Sequence, residues 1–248
     1  MNSTQSVFVT FFLVLFFLTP VEAKKLRFGE KLCQQKEFQC RGVVKGDSWN
    51  SLWPEPAEQD IIKRINRMNI ALQPGMILAV PNALTGMTKV DFAPFPKTRA
   101  TDAQKVVVVD LSQLAWGAYD EGGRLIAWGP ASGGKDYCPD TRHACQTPAG
   151  EYVFQWKRGE ACKSRKVPIP QGGAPMPYCL FFYDGAAIHG SSDVPGYNAS
   201  HGCVRVFTAD AKWLNEEFVV LTGPMSLRTR IIVLPYDEKS ATSPTGGH

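Results

Sequence analysis

The 248-residue chain is 44% hydrophobic and 20% charged, with 22 Gly, 18 Pro and 7 Cys, a balance that excludes a disordered or collagen-like polymer. Its length holds one large domain, or a small one joined to a medium one. All 27 Lys and Arg but only 22 of the 23 Asp and Glu lie beyond residue 23, which leaves +5 there; that mild excess, without a basic run or a recognition motif, argues against nucleic acid as a partner.

Val7 to Leu18 is an apolar run of twelve residues, too short for the roughly 20 that span a bilayer. Pro20 and Val21-Glu22-Ala23 follow it, a small-residue cleavage pattern, so residues 1–23 read as a signal peptide and the protein as exported, with no membrane span after cleavage. Met1 to Ser6 departs from the usual signal in having no basic residue, and no Cys follows the cut to carry a lipid. The seven cysteines are Cys33, Cys40, Cys138, Cys145, Cys162, Cys179 and Cys203. In an oxidising compartment an odd count leaves one thiol over, and six structural cysteines allow fifteen pairings. The most local choice joins Cys33 to Cys40, Cys138 to Cys145 and Cys162 to Cys179, leaving Cys203 free. No C-x-x-C pair or histidine set at ligand spacing points to zinc.

Phe38 to Val44 reads as a strand, and Lys45-Gly46-Asp47-Ser48 as a turn that caps a helix start. Trp49, Leu52 and Trp53 share one face of a short helix that Pro54 ends. Ile61, Ile65 and Met68 recur at helical spacing over Asp60 to Asn69. Gln73-Pro74-Gly75 turns the chain into a strand at Met76 to Val80. Strand, helix, helix, strand with Val44-Lys45-Gly46-Asp47-Ser48, Ile65-Asn66, Leu72-Gln73-Pro74-Gly75-Met76-Ile77-Leu78 and Val80-Pro81 resembles a LysM module, the small glycan-binding unit of peptidoglycan-associated proteins. The resemblance covers about 40 residues, and residues 24–82 are expected to form that βααβ module. Its middle departs from the family, with Trp49 and Trp53 where smaller residues are usual and Pro54 and Pro56 interrupting. The two tryptophans serve either as sugar platforms or as core, and the module either binds glycan or is a spacer.

Residues 83–104 hold Pro94 and Pro96 without apolar periodicity, a linker or an extended docking arm. Beyond them the chain turns β-rich. Val106 to Val109 opens a strand, Tyr119 to Arg124 is a hairpin turn into Leu125 to Trp128, and Tyr152 to Trp156, Leu180 to Tyr183 and Arg228 to Leu234 read as further strands. Ala209 to Val219, with Ala211, Leu214 and Phe218 on one face, is the clear helix of this half. Residues 236–248 form a loose polar tail.

The densest chemistry is Ile188 to Val206, IHGSSDVPGYNASHGCVRV, which holds two of the four histidines, the odd cysteine and Arg205. A cysteine nucleophile needs a base or imidazolium nearby and backbone N–H groups for the oxyanion of a tetrahedral intermediate. His189 and His201 offer the first, and Gly202 before Cys203 permits the second. His-Gly, a short loop, then Ser-His-Gly-Cys-Val-Arg resembles the catalytic signature of the L,D-transpeptidases of the YkuD type. Val107 to Leu111, Thr147-Pro148-Ala149-Gly150-Glu151-Tyr152 and Met176 to Tyr178 extend the resemblance over residues 105–235. It implies an α+β, mainly β fold, a mixed β-sandwich catalytic domain behind the small module.

The resemblance also implies roles. Cys203 is the nucleophile that forms a thioester, and His189 is its base. The Gly190 carbonyl fixes the imidazole tautomer, the orienting task of an Asp in serine triads. His201, with the N–H groups of Gly202 and Cys203, stabilises the oxyanion or positions substrate. Ser200, Gly202, Arg205 and Tyr178 shape the substrate pocket, Arg205 by gripping a substrate carboxylate or as an ordinary salt-bridge partner. His143 reads as a solvated loop residue. Only ten residues separate His189 from Ser200, a shorter loop than is commonest in the family.

The expected reaction is attack on a tetrapeptide stem of peptidoglycan after its third, meso-diaminopimelate-type residue, with release of D-Ala and cross-linking to an acceptor amine. No metal or organic cofactor is implied. Water as acceptor would make the protein an L,D-carboxypeptidase or endopeptidase, and a lipoprotein lysine is a third acceptor. A non-catalytic wall-binding protein is the alternative from another class. Carbapenem β-lactams are the expected inhibitors, and a Gram-negative periplasm the expected compartment.

Overall fold

The computed structural model describes residues 26–236; the signal-peptide segment and nearly all of the polar tail lie outside the described residues. Helix α1 (Phe28–Leu32) opens them, followed by β1 (Phe38–Gly42), α2 (Trp49–Leu52), α3 (Pro56–Ile65) and β2 (Ile77–Pro81). β1 and β2 pair antiparallel, Cys40 opposite Ala79. Ser48 caps α2, its hydroxyl accepting from the Ser51 amide. α3 begins four residues before the expected start: Pro56 occupies its first turn, where the missing N–H costs nothing, and so initiates the helix rather than interrupting it. Trp49 and Trp53 are buried at 8% and 6% exposure among Val43, Ile62, Met68 and Leu78, and Trp49 Nε1 donates to Ile70 O at 2.8 Å. They are core, not a sugar platform. Asn66 ties α3 to β2, donating to Ile62 O and Ala79 O and accepting from the Ala79 amide.

The proline-containing joint is a docked arm. A 3-10 turn at Lys89–Phe92 is followed by an extended stretch. Along it Trp128 Nε1 donates to Lys89 O (2.5 Å), Tyr119 Oη to Pro96 O and the Leu125 amide to Lys97 O.

The second unit is one mixed sheet of nine strands: β3 (Val106–Asp110), β4 (Ala115–Tyr119), β5 (Leu125–Ser132), β6 (Gly150–Val153), β7 (Trp156–Lys157), β8 (Leu180–Tyr183), β9 (Ala186–Gly190), β10 (Val204–Val206) and β11 (Arg230–Val233). Their order is β6-β11-β3-β4-β5-β10-β9-β8-β7. The expected strand at Tyr152 to Trp156 is thereby split: β6 pairs with β11 at one end of the sheet and β7 with β8 at the other. Phe154 and Gln155 carry the chain across, Phe154 buried and the Gln155 amide bonded to Phe181 O. Two residues thus connect the two edge strands of a sheet curled toward itself. Inside the curl pack Val107, Val109, Leu180, Phe182, Ile188 and Val204.

Helix α4 (Thr208–Trp213) closes the core and widens into a π turn at Leu214–Phe218. The wider turn buries Leu214 and Phe218 and swings Asn215 inward, where it donates to Arg158 O and Cys179 O.

The two units share a buried polar seam. Arg64 of α3 forks onto Asp210 of α4 at 2.7 and 2.9 Å, reaches Trp128 O at 2.9 Å and binds Asp60 through Nε. Burial opposes the charge on Arg64, but Asp210 and Asp60 outweigh it and hold the guanidinium protonated more firmly than usual. Beside it Arg67, fully buried, donates to Gln113 O and Arg64 O between the rings of Phe28 and Trp128. Removing one member of such a pair strands the other charge. Arg64→Ala is expected to destabilise the chain by about 3–5 kcal/mol, read by urea unfolding through tryptophan fluorescence. The paired change Arg64→Met with Asp210→Leu should cost much less, and equal losses from both would contradict this account.

Candidate active site

The site is built by two short parallel strands. β9 and β10 run side by side with Ile188 opposite Val204, His189 opposite Arg205 and Gly190 opposite Val206. Side chains alternate along a strand. Ile188, Val204 and Val206 point into the core, so Ala187, His189, Cys203 and Arg205 share the other face. The register therefore brings together histidine and cysteine that lie fourteen positions apart.

His189 is buried, and its Nδ1 lies 2.9 Å from Gly190 O. A carbonyl only accepts, so Nδ1 carries the hydrogen and Nε2 keeps its lone pair. Gly190 is required here, because a Cβ would stand 2.9 Å from Thr208 Cα. Burial pushes His189 down to about 4; the Gly190 bond works against this and the charge of Arg205 adds to it. Cys203 is the one free cysteine among the described residues, half-buried, its Sγ 3.9 Å from Gly185 O. Burial pushes its thiol up, with the Ala187 backbone and Arg205 pulling the other way. At neutral pH both partners rest uncharged.

The remaining candidates divide. Ser200 is buried and locks the loop before the cysteine: its hydroxyl accepts from the Gly202 amide at 3.1 Å and donates to Cys203 O. The Gly202 N–H, expected for an oxyanion, is therefore already engaged. Gly202 instead supplies the turn, at φ +114°. His201 Nε2 is bound to Asp140 Oδ2 at 2.8 Å. Burial works to raise the Asp140 carboxyl, but that contact and backbone N–H groups together outweigh it and hold the carboxyl below its ordinary range. Cys138 lies beside this pair, but its sulfur is bonded to Cys145 and offers no thiolate ligand. Arg205 Nη1 is paired with Asp193 Oδ2 at 2.5 Å. Tyr178 is not in the site: its ring packs in the core, its hydroxyl meets Glu160 at 3.4 Å, and it lines neither cavity.

Cys203 and His201 open into two cavities. One, of about 390 Å³, is lined also by His189, Gly190, Ser200, Asp193 and Arg205. The other, of about 770 Å³, is lined by Gly202, Trp156, Phe181 and His143 among others. Between them lies a flap whose Ser164, Val167 and Met176 face both. Disulfide Cys162–Cys179 anchors its base and Cys138–Cys145 closes the loop carrying Asp140; with Cys33–Cys40 these are the three local pairs. The loops stapled over the cleft by the Cys138–Cys145 and Cys162–Cys179 pairs were legible in the sequence, whereas Asp140 and Asp193 escaped the motif reading.

Residues 104–233, more than half of the chain, match the YkuD family, the L,D-transpeptidase catalytic domain. The chain belongs to that family. Among solved structures it is similar to an L,D-transpeptidase (residues 123–326) from Xylanimonas cellulosilytica, at 26% identity and TM-score 0.48 over 70% of this chain and 77% of that one. It is also similar to an L,D-transpeptidase from Stackebrandtia nassauensis, at 20% identity and TM-score 0.42 over 56% and 60% of the two chains. L,D-transpeptidase 3 from Mycobacterium tuberculosis, solved with a faropenem-derived adduct, matches at 21% identity and TM-score 0.41 over 53% and 60%. A search of curated proteins found no match.

Because neither partner is charged at rest, iodoacetamide alkylation of Cys203 should rise with pH along a single step centred above the ordinary thiol value, with no plateau between about pH 5 and 8. A pH-independent rate across that window, followed by intact mass, would reveal a preformed thiolate–imidazolium pair and contradict this reading.

Proposed function

We propose that the protein is an exported peptidoglycan L,D-transpeptidase with Cys203 as nucleophile and His189 as base. The observation that carries this reading is the place of Cys203 at the meeting of two cavities, one of them shared with His189. A two-substrate acyl transfer needs such a place, and hydrolysis does not.

The geometry suits the following course. Cys203 gives its proton to His189 Nε2 as Sγ attacks the carbonyl after the third residue of a tetrapeptide stem. The C–N bond breaks, and the imidazolium returns the proton to the departing D-Ala amine. Because that transfer happens at His189, D-Ala leaves through the smaller cavity, where Arg205 keeps one guanidinium edge for its carboxylate while Asp193 holds the other. By microscopic reversibility the acceptor amine enters by the same path and attacks the thioester carbonyl; its proton passes to His189 and on to the Cys203 sulfur as the new C–N bond forms and the C–S bond breaks. The acyl part of the donor then occupies the larger cavity.

The N-terminal unit, with its strand-helix-helix-strand order and the quoted turn residues, is read as a LysM-like module that holds glycan. The cleavable apolar leader and the local disulfides support export to a periplasm. A water acceptor, giving an L,D-carboxypeptidase, is the second reading, favoured by the solvent access of the half-buried thiol.

Incubating the purified protein with tetrapeptide muropeptides should yield a cross-linked dimer and free D-Ala by chromatography and mass spectrometry. Cys203→Ala should yield neither, and His189→Ala should slow turnover about 10²–10⁴-fold. D-Ala without dimer would mean the carboxypeptidase, and an untouched substrate would overturn both enzymatic readings. A carbapenem should add its mass once to the wild type and not to Cys203→Ala; no adduct on the wild type would count against a nucleophilic Cys203.

A further inference from the structure

The two cavities differ in charge. In the smaller one Arg205 is neutralised by Asp193. The larger is walled by Arg158, Lys163, Arg165 and Lys166 against a single carboxylate, Asp184. None of these four cations forms a salt bridge within the described residues.

They stand on a framed backbone. Lys163 pairs with Pro175 across the flap, Ser164 N bonds Ala174 O at 2.9 Å and Met176 N bonds Cys162 O at 2.9 Å. The Ser164 hydroxyl gathers the amides of Lys166 and Val167 into a tight turn. Arg158 lies 5.5 Å from the ring of Trp156, which stacks on Phe181 at 3.6 Å. Four cations around one wall, without a salt bridge among the described residues and carried in part by this hydrogen-bonded flap, create a field for an anionic ligand that extends about a Debye length into the cavity.

We propose that this wall selects donor stems by charge: the larger cavity takes a peptide whose third residue carries an ionised side-chain carboxylate and disfavours one in which that group is a carboxamide. The inference rests on the transpeptidase reading, which places the donor's acyl part there. Lys163, Arg165, Lys166 and Arg158 are then specificity residues. A carboxamide has the shape of the carboxylate but lacks the charge these groups answer, and a cation left facing it gains nothing for the water it loses.

The test is a competition in one tube between two tetrapeptide donors that differ only in the third residue's side chain, free acid against amide. The two tripeptide products are resolved by chromatography and mass spectrometry, and D-Ala release is read alongside. The wild type should convert the acid about tenfold faster than the amide in low salt, and the ratio should shrink as salt is added. The Lys163→Gln, Arg165→Gln, Lys166→Gln triple variant, which keeps Arg158, should bring the ratio most of the way to one, and Lys163→Arg, Arg165→Lys, Lys166→Arg should keep it. A ratio within one sample is independent of how much variant folds. Equal conversion of the two donors by the wild type, or a ratio unmoved in the glutamine variant, overturns the charge selection while leaving the transferase intact. No D-Ala from either donor overturns the function itself, and the inference with it.

Discussion

The parallel pairing of β9 with β10 is the constraint on which the rest depends. Its register sets His189 beside Arg205 and turns Cys203 to the same face, while Ile188, Val204 and Val206 anchor both strands in the core. Parallel neighbours need a crossover, usually a helix. Here residues 191–203 make it as an irregular loop, so the loop must be held by its surroundings. Ser132 Oγ donates to Tyr197 O, and the Gly133 amide to Asn198 Oδ1. The hydroxyl of Ser200 fastens the last turn before the cysteine.

The N-terminal unit supplies the other half of that support. Asn69 accepts from the Val194 amide and donates to Ser191 O, its own amide bonds Val194 O, and Phe28 N reaches Gly196 O. These bonds grip the loop on either side of Asp193, the partner of Arg205. The module is thus part of the scaffold of the cavity, not a tethered bead. The Arg64–Asp210 seam fixes its orientation, since a buried fork tolerates little displacement before one charge loses its partner.

Burial governs the chemistry as well as the packing. It favours the neutral imidazole of His189 and the protonated thiol of Cys203. The Gly190 carbonyl fixes the imidazole tautomer and adds no charge that would raise its basicity strongly.

Much of this was legible in the sequence because it is local. The His-Gly and Ser-His-Gly-Cys-Val-Arg spacing, the β-rich second half and the three near-neighbour cysteine pairs are properties of short stretches, where residue type and spacing alone constrain the chain. Where sequence reading erred, the deciding partner was distant. Tyr152 to Trp156 alternates like one strand, yet its two ends serve opposite edges of the sheet because curling brings those edges within two residues of each other. Tyr178 stands next to site residues in sequence but turns into the core. Gly202 N–H has a hydroxyl partner already. For Trp49 and Trp53 the sequence left two readings open, and the interior one holds. By itself the sequence determined which groups are candidates for nucleophile and base, because they sit at fixed spacing in one short stretch. The tertiary structure alone decided which groups were engaged elsewhere, how two cavities meet at one sulfur and that the N-terminal unit braces the site. Those outcomes depend on contacts between residues far apart in the chain, which no local pattern of residue types encodes.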